Sequence, residues 1–274
     1  MQRSLLLLGL LGLSGCSDEQ SLANVADAYR IEGAHEPIHV LVLTATHGYR
    51  HETAIARSRE LLKALEPVTE FRFTLTEDID ALSAETLSAH DVIFFNNSTL
   101  RAARLDGPTP GWRDSVVEQP VTRAHQQALI EFLERGGGVV SAHSGLDALY
   151  GWPEYRALLG GGLFEAHPWT EQVTVRVEDR THPLNEGLEE SFEIRDEIYV
   201  LDRNPRPEVQ VLTTLDLESV DASLGKRNDY PLAWSREHRG ARVFVTKLGH
   251  FPEVWTHPAF LRQLLAGLRY AAGR

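Results

Sequence analysis

Three histidines follow segments that the sequence predicts to be buried strands. His47 comes after VLVLTAT, His143 after GVVSA, and His250 closes VFVTKLGH. The carboxyl ends of parallel strands meet at one edge of a sheet, where ligands bind. Imidazole is a good ligand for zinc and similar divalent metals, and catalytic metal sites commonly use three protein ligands. We therefore predict a divalent metal site, with zinc or manganese as the first candidates.

A carboxylate for the same site is available in the segment IRDEIY. Asp196 and Glu197 are neighbours there, and adjacent strand residues point to opposite faces, so only one is expected to enter the site. We favour Glu197 as the member of the pair that enters the site. Glu197 or a free histidine would move a proton, and Tyr49 or Tyr199 would orient the substrate.

Further polar and aromatic residues lie beside the predicted strand ends. We expect four of them to contact substrate, and Trp169 to stack on a sugar ring. The four candidates are Asn97, Ser144, Trp169 and His167. Trp152 is a second candidate for stacking on a sugar, although tryptophan is more often part of a core.

The turn SAHSG raises the alternative of a serine hydrolase. A nucleophile elbow of the form G-x-S-x-G needs glycines on both sides of the serine, and Gly145 is misplaced for Ser144. With His143 as the elbow residue, the pattern becomes x-His-x-Gly and fits a sharp turn better. The glycine runs at 136–138 and 160–162 match no phosphate-binding motif, so we expect no nucleotide.

Strands and helices alternate through the first half of the chain, which predicts a parallel sheet with helices on both faces. The second half is richer in strands. Predicted strands are His39–Thr46, Phe71–Leu75, Asp91–Asn97, Gly138–Ala142, Glu171–Val177, Val209–Leu215, Pro231–Arg236 and Ala241–His250. Predicted helices begin at Glu52, Ser83, Arg123 and Pro258, and a long irregular segment from Ser98 to Gln119 is expected to cover a site. The fold class is therefore α/β in a single domain.

The first 15 residues predict a signal peptide, since a short basic region precedes an apolar run too short to span a bilayer. The tetrapeptide LSGC resembles the lipobox of bacterial lipoproteins, so we expect Cys16 to carry a lipid. Residues 17–36 are polar without periodicity and predict a tether, which leaves 37–274 as the folded domain. Cys16 is the only cysteine, which excludes a disulfide framework and a thiolate metal site. The expected location is the bacterial cell envelope.

The formal net charge is −12, which argues against binding to nucleic acid and against electrostatic binding to a membrane. Contact with the membrane is expected through the lipid anchor only. Hydrophobic residues make up 42% of the chain, enough for a proper core. Composition leaves the oligomeric state open.

Four segments together resemble the ThuA-like family, named for trehalose utilisation. They are HGYRHE, GGGVVSAHSG, DEIY and LGHFPEVW with the following PAFLRQLLAGLRYAAG, and the resemblance extends over about residues 38–273. It implies a flavodoxin-like fold similar to class I glutamine amidotransferases, with His143 where those enzymes carry a cysteine. It also implies a role in the breakdown of disaccharides, including routes through 3-keto sugars, and a metal near the histidines. Carried over by position, the residues to watch are His47, His143, His167, Glu197 and His250.

The leading hypothesis is an envelope-anchored, metal-dependent enzyme acting on a sugar or glycoside, including a 3-keto sugar. Lyase, isomerase and hydrolase reactions all fit such a site. One alternative is a carbohydrate-binding lipoprotein without catalysis, and a weaker one is a serine esterase that uses Ser144.

Overall fold

A computed structural model describes residues 14–102 and 119–274. Most of the expected signal peptide and of the expected loop from Ser98 to Gln119 lies outside these residues. Within them, the α-helices are Ser14–Asp27 (α1), Glu52–Leu65 (α2), Ala84–Ser88 (α3), Arg123–Glu134 (α4), Pro153–Leu158 (α5) and Pro258–Ala271 (α6). The strands of the same residues are Ile38–Leu43 (β1), Phe71–Thr76 (β2), Val92–Asn96 (β3), Gly138–Ala142 (β4), Phe164–Val177 (β5), Ser191–Leu201 (β6), Gln210–Leu215 (β7), Pro231–His238 (β8) and Ala241–Thr246 (β9).

The strands form one mixed sheet in the order β2-β1-β3-β4-β9-β8-β7-β5-β6. Neighbours from β2 to β9 are parallel, and neighbours from β9 to β6 are antiparallel. The α/β class is confirmed, and the arrangement is consistent with a flavodoxin-like fold. The prediction of a mostly parallel sheet is wrong, because the strand-rich second half pairs with reversed direction.

The reversal has a visible physical basis. The turn between β8 and β9 places Arg239 and Gly240 at φ values of 53° and 85°, as a tight hairpin requires. In β5, Val173 and Val175 are buried, whereas Gln172 and Arg176, at alternate positions, are exposed. That alternation is typical of an antiparallel strand with one solvated face. The sequence pattern indicates a strand here, but it does not show whether the strand runs parallel or antiparallel to its neighbours.

The core lies on both faces of the parallel part. Val40, Val42 and Phe94 pack on one face with α2 and α6, whereas Leu43 and Phe95 pack on the other with α4 and α5. Full burial of one such side chain stabilises the fold by about 1.5–3 kcal/mol. Helices on both faces therefore hold the parallel strands, and their carboxyl ends, in a fixed arrangement.

Helix α1 occupies part of the segment that we expected to be a tether. Leu22 and Ala26, four residues apart on one helix face, are 4% and 1% exposed and belong to the same buried cluster as α2. The Tyr29 hydroxyl donates to the Pro258 carbonyl oxygen at 3.2 Å. Leu22, Ala26 and Tyr29 thus pack on the domain. Among the residues that the structure describes, no helix has the length and apolar character needed to cross a membrane.

Candidate metal centre

Four side chains converge at the carboxyl ends of the parallel strands. His51 precedes α2, His143 follows β4, His250 lies beyond β9, and Glu197 belongs to β6. One nitrogen or oxygen atom from each lies within 4.8 Å of those from the other three. We call these four residues the histidine–glutamate cluster. Because β6 is the last strand of the sheet, the antiparallel part must curve back over the strand ends to deliver Glu197.

His143 is presented by an elbow, as the sequence predicts. Its φ of 47° lies in the left-handed region, which side chains other than glycine adopt only at a cost of about 1–3 kcal/mol. A short 3₁₀ helix, His143–Leu146, follows at once and turns the chain away from the sheet. The His143 Nδ1 lies 2.9 Å from the Lys247 carbonyl oxygen, an acceptor only. In the neutral imidazole, Nδ1 therefore carries the hydrogen, and Nε2 offers its lone pair to the cluster.

Three of the candidate ligand atoms are spaced as around one metal ion. His143 Nε2 and His250 Nδ1 are 3.2 Å apart. Glu197 Oε2 lies 3.4 Å from His143 Nε2 and 3.1 Å from His250 Nδ1. With Zn–N bonds of about 2.0–2.1 Å, tetrahedral ligands are about 3.3 Å apart. The observed spacing therefore matches a shared tetrahedral centre, and these residues fit a divalent metal.

His51 supplies the fourth member of the cluster. Its ring centroid lies 4.7 Å from that of His143 and 5.0 Å from that of His250. Its Nδ1 is buried and has no hydrogen-bond partner in the described part of the chain. Burial, and after it the nearby His143 and His250, lower the pKa of His51 to about 2. The ring is therefore neutral at physiological pH, the form that binds metals.

The sequence position of His51 is also unusual. It is the N-cap residue of α2, where a side chain such as serine or aspartate would bond a free backbone N–H and stabilise the helix by about 1 kcal/mol. The His51 side chain makes no capping bond. His51 therefore does not stabilise the start of α2 with its side chain. Its ring faces the histidine–glutamate cluster instead.

Glu197 joins the cluster to a half-exposed histidine. Its carboxylate is largely buried, and Oε1 lies 3.3 Å from Nδ1 of His167, whose side chain is 51% exposed. Burial raises the pKa of Glu197, but the hydrogen bonds and positive charge that His143 and His250 supply when protonated outweigh it and hold the pKa well below its usual value. Glu197 is therefore an anion between three imidazoles. The His167 ring stacks on Phe164 with an interplanar angle of 13°.

The two tyrosines predicted to orient substrate pack against different histidines of the cluster. Tyr199 is buried, with its ring centroid 4.1 Å from that of His143. Burial first, and Glu197 second, raise the pKa of Tyr199 well above its usual value, so its hydroxyl remains a hydrogen-bond donor. Tyr49 is 68% exposed, and its ring centroid lies 4.9 Å from that of His51. It offers an aromatic surface at the mouth of the site.

Asn97 and Ser144 flank the elbow. Asn97 has a φ of 52° and is fully buried, and its Nδ2 donates to the Gly249 carbonyl oxygen at 3.1 Å. Its Oδ1 and the Ser144 Oγ are buried without a hydrogen-bond partner among the described residues. Since no histidine is bonded to Ser144, the geometry does not support the serine esterase interpretation.

Two of the predicted site residues are placed elsewhere. His47 is not in the cluster, because its Nδ1 accepts the Arg101 backbone N–H at 2.9 Å. The loop after β1 brings in His51 instead. Trp169 cannot stack on a sugar, since it is fully buried and its Nε1 donates to the Asp221 carbonyl oxygen at 3.0 Å. Trp152 is also buried, at 5% exposure.

Sequence reasoning thus missed His51. The signal that could have found it is the pair of histidines in HGYRHE, just before an amphipathic helix. Strand ends alone selected His47, whereas the structure ends β1 at Leu43 and leaves a loop of several residues before α2. The second histidine, at the start of the helix, is the one that reaches the sheet edge.

The comparisons with solved structures agree with this fold. A ThuA-like protein from Bacteroides uniformis is similar over 89% of this chain and 95% of its own, with 23% identity and a TM-score of 0.69. A ThuA-like protein from Parabacteroides merdae matches over 86% and 90%, with 20% identity and a TM-score of 0.61. A β-galactosidase from Bacillus circulans matches over 86% of this chain and 31% of its own, with 13% identity and a TM-score of 0.50. These likenesses show the fold alone.

No curated protein matches the chain. The sequence profile of the ThuA family, described as trehalose utilisation, matches residues 39–271. This span covers every residue of the histidine–glutamate cluster, and it confirms the resemblance that the sequence motifs indicated. The chain belongs to the ThuA family.

Proposed function

We propose that this protein is a metal-dependent enzyme that acts on a sugar or glycoside, with 3-keto glycosides as the first substrates to test. The observation that carries the proposal is the 3.1–3.4 Å spacing among His143 Nε2, His250 Nδ1 and Glu197 Oε2. The family description supports a carbohydrate as the substrate class.

His51, His143, His250 and Glu197 would hold the metal. Three imidazoles and one carboxylate suit zinc better than the harder, oxygen-preferring manganese, although both remain candidates. Once bound, a divalent metal would polarise a carbonyl or hydroxyl oxygen of the substrate or activate water.

The remaining steps fall to other side chains. His167, half exposed and with Nδ1 3.3 Å from Glu197 Oε1, is placed to accept or deliver a proton at its other ring nitrogen. The Tyr199 hydroxyl would donate to a substrate oxygen. The exposed ring of Tyr49 would support a face of the sugar. Asn97 Oδ1 and Ser144 Oγ are both without a partner in the described residues, but they are fully buried, so contact with substrate hydroxyls would require the elbow to move.

The location of this activity is proposed from the sequence. The lipobox-like LSGC predicts a lipid on Cys16, which would anchor the domain in the cell envelope. The protein would then bind its carbohydrate outside the cytoplasm. Labelling with a radioactive fatty acid in a bacterial host, for the wild type and Cys16→Ser, tests this part; equal labelling of the two proteins would refute it.

The metal proposal is tested by comparing two histidines in one loop. We expect the chelator-treated wild type to bind about one equivalent of zinc in calorimetric titration. His51→Ala should bind at least about 100-fold more weakly, whereas His47→Ala, the matched control, should retain wild-type affinity. Equal affinity of the two variants would contradict the assignment of His51.

Turnover is tested on the same three proteins. We expect the zinc-loaded wild type and His47→Ala to convert a 3-keto glycoside, followed by chromatography of the released sugar, and His51→Ala to lose the activity. Sugar binding that survives in His51→Ala, without turnover in any of the proteins, would instead favour a carbohydrate-binding protein without catalysis.

A further inference from the structure

The loop that carries His250 is held by hydrogen bonds to its backbone. Gly249, at a φ of 128°, precedes the histidine in a conformation that favours glycine. Its carbonyl oxygen accepts the side-chain N–H groups of Asn97 at 3.1 Å and Trp255 at 3.2 Å. These contacts hold one side of the peptide. The N–H group of His250, on the other side of that peptide, and the N–H group of Gly249, in the preceding peptide, also need an acceptor.

Asp196 provides this acceptor. Its Oδ2 accepts the Gly249 N–H at 2.7 Å, and its Oδ1 accepts the His250 N–H at 3.0 Å. Asp196 is fully buried, and no cationic side chain forms an ion pair with it among the described residues. Isolating a carboxylate from water in this way is costly unless its hydrogen bonds are strong. Both carboxylate oxygens of Asp196 therefore accept hydrogen bonds from the backbone of a single loop.

The neighbouring residue on β6 is Glu197, a member of the histidine–glutamate cluster. Successive strand residues point to opposite faces, so one dipeptide supplies a candidate metal ligand on one face and a backbone acceptor on the other. Both groups act on the same partner, since Glu197 Oε2 lies 3.1 Å from the His250 ring and Asp196 holds the His250 backbone. Strand β6 thereby fixes the distance between two of the four ligands.

We propose that Asp196 is a positioning residue that sets His250 at ligand distance from Glu197 and His143. The inference rests on the proposed metal centre and deepens it. Groups that orient metal ligands typically contribute 10–100-fold to metal affinity. Removal of the Asp196 carboxylate should therefore weaken zinc binding about 10–100-fold without removing any ligand.

A double-mutant cycle separates positioning from a general structural effect. Zinc affinity is measured for the wild type, Asp196→Asn, His250→Ala and the double variant. The asparagine keeps the shape but can offer only one acceptor oxygen. We expect the loss caused by Asp196→Asn to disappear in the His250→Ala background, because Asp196 acts through His250. An equal loss in both backgrounds, or wild-type affinity in Asp196→Asn, would overturn the proposal.

Gln263→Met is the matched control. It removes the buried hydrogen bond of 2.8 Å that Gln263, on α6, donates to Asn185 Oδ1. It should lower the melting temperature and leave zinc affinity unchanged, so a loss of affinity in this control would show that destabilisation alone accounts for the effect of Asp196→Asn.

Amide hydrogen exchange of the chelator-treated protein tests the contact without a metal. We expect Asp196→Asn to accelerate exchange at Gly249 and His250 more than at neighbouring residues. Unchanged exchange at both amides would overturn the proposal. A wild type that binds no zinc would refute the proposed function alone, because the exchange rates still decide whether Asp196 holds the His250 loop.

If Asp196→Asn does not fold, a measurement on the wild type alone tests the proposal. The amide protons of Gly249 and His250 should resonate downfield, as expected for bonds to a carboxylate, and amide proton shifts without this displacement would overturn the proposal.

Discussion

The elbow that presents His143 depends on a close approach at Gly145. A β-carbon added there would overlap the Ser141 hydroxyl oxygen and lie 3.1 Å from the Phe95 carbonyl oxygen. Forcing an extra methyl group into such a packed position typically costs about 1–3 kcal/mol. We therefore expect Gly145→Ala to lower the free energy of unfolding by that amount.

Ser141 provides a way to verify the cause. Its hydroxyl is buried and has no hydrogen-bond partner within the described ranges. Ser141→Ala removes both this unsatisfied group and the atom that an alanine at 145 would strike. By itself it should be neutral or stabilising by up to about 1 kcal/mol, because a buried hydroxyl without a partner is a cost.

The two substitutions should not be additive. In the double variant we expect about half or more of the Gly145→Ala destabilisation to be recovered, a coupling of at least about 0.5–1.5 kcal/mol. Urea denaturation of the four chelator-treated proteins measures the coupling, and zinc affinity reports whether His143 keeps its position. Strict additivity would refute the steric argument and place the requirement for glycine elsewhere, for instance at the Phe95 carbonyl.

Other substitutions test the environment of the site. Lys247 is fully buried, and burial, more than Asp229 or Arg227, sets its pKa, lowering it to about 7. The unfolded chain therefore binds an extra proton between pH 7 and about 10.5, so stability should rise with pH in this window by up to about 1.4 kcal/mol per unit. Urea titrations at pH 7–9 should show a much smaller rise for Lys247→Met than for the wild type; equal slopes would contradict this assignment. Trp169→Ala should destabilise the fold by about 3–5 kcal/mol, measured by urea denaturation, because the ring is fully buried. Tyr49→Ala should lower sugar affinity in calorimetry while stability stays within about 0.5 kcal/mol, since the side chain is exposed; the reverse pattern for these two variants would restore Trp169 as the sugar contact.

Much of the parallel half could be predicted from local patterns. The helix Glu52–Leu65 begins at the predicted residue, and the strand Gly138–Ala142 has the predicted bounds. Both are specified by residues within the element, through the spacing of apolar side chains. The direction of the later strands depends on pairing between distant segments. The periodicity of apolar residues within a strand gives no information about that pairing.

The candidate site shows the same division. His143 and His250 could be located because His143 directly follows β4 and His250 lies shortly after β9, and topology brings the ends of these strands together. The choice between His47 and His51 depends on the path of an irregular loop. The outward or inward orientation of Trp169 depends on how far β5 extends towards its start at Phe164. Neither property is encoded in a short window of sequence.

The four members of the histidine–glutamate cluster come from segments spread over nearly the whole domain, and from both the parallel and the antiparallel parts of the sheet. An ion shared among them would act as a cross-link that closes long loops of the chain, and loop closure is entropically costly in the unfolded state. Since such a site does not exist before folding, its binding energy would add directly to the stability of the folded state. The supply of metal would then govern the lifetime of the protein as well as its turnover.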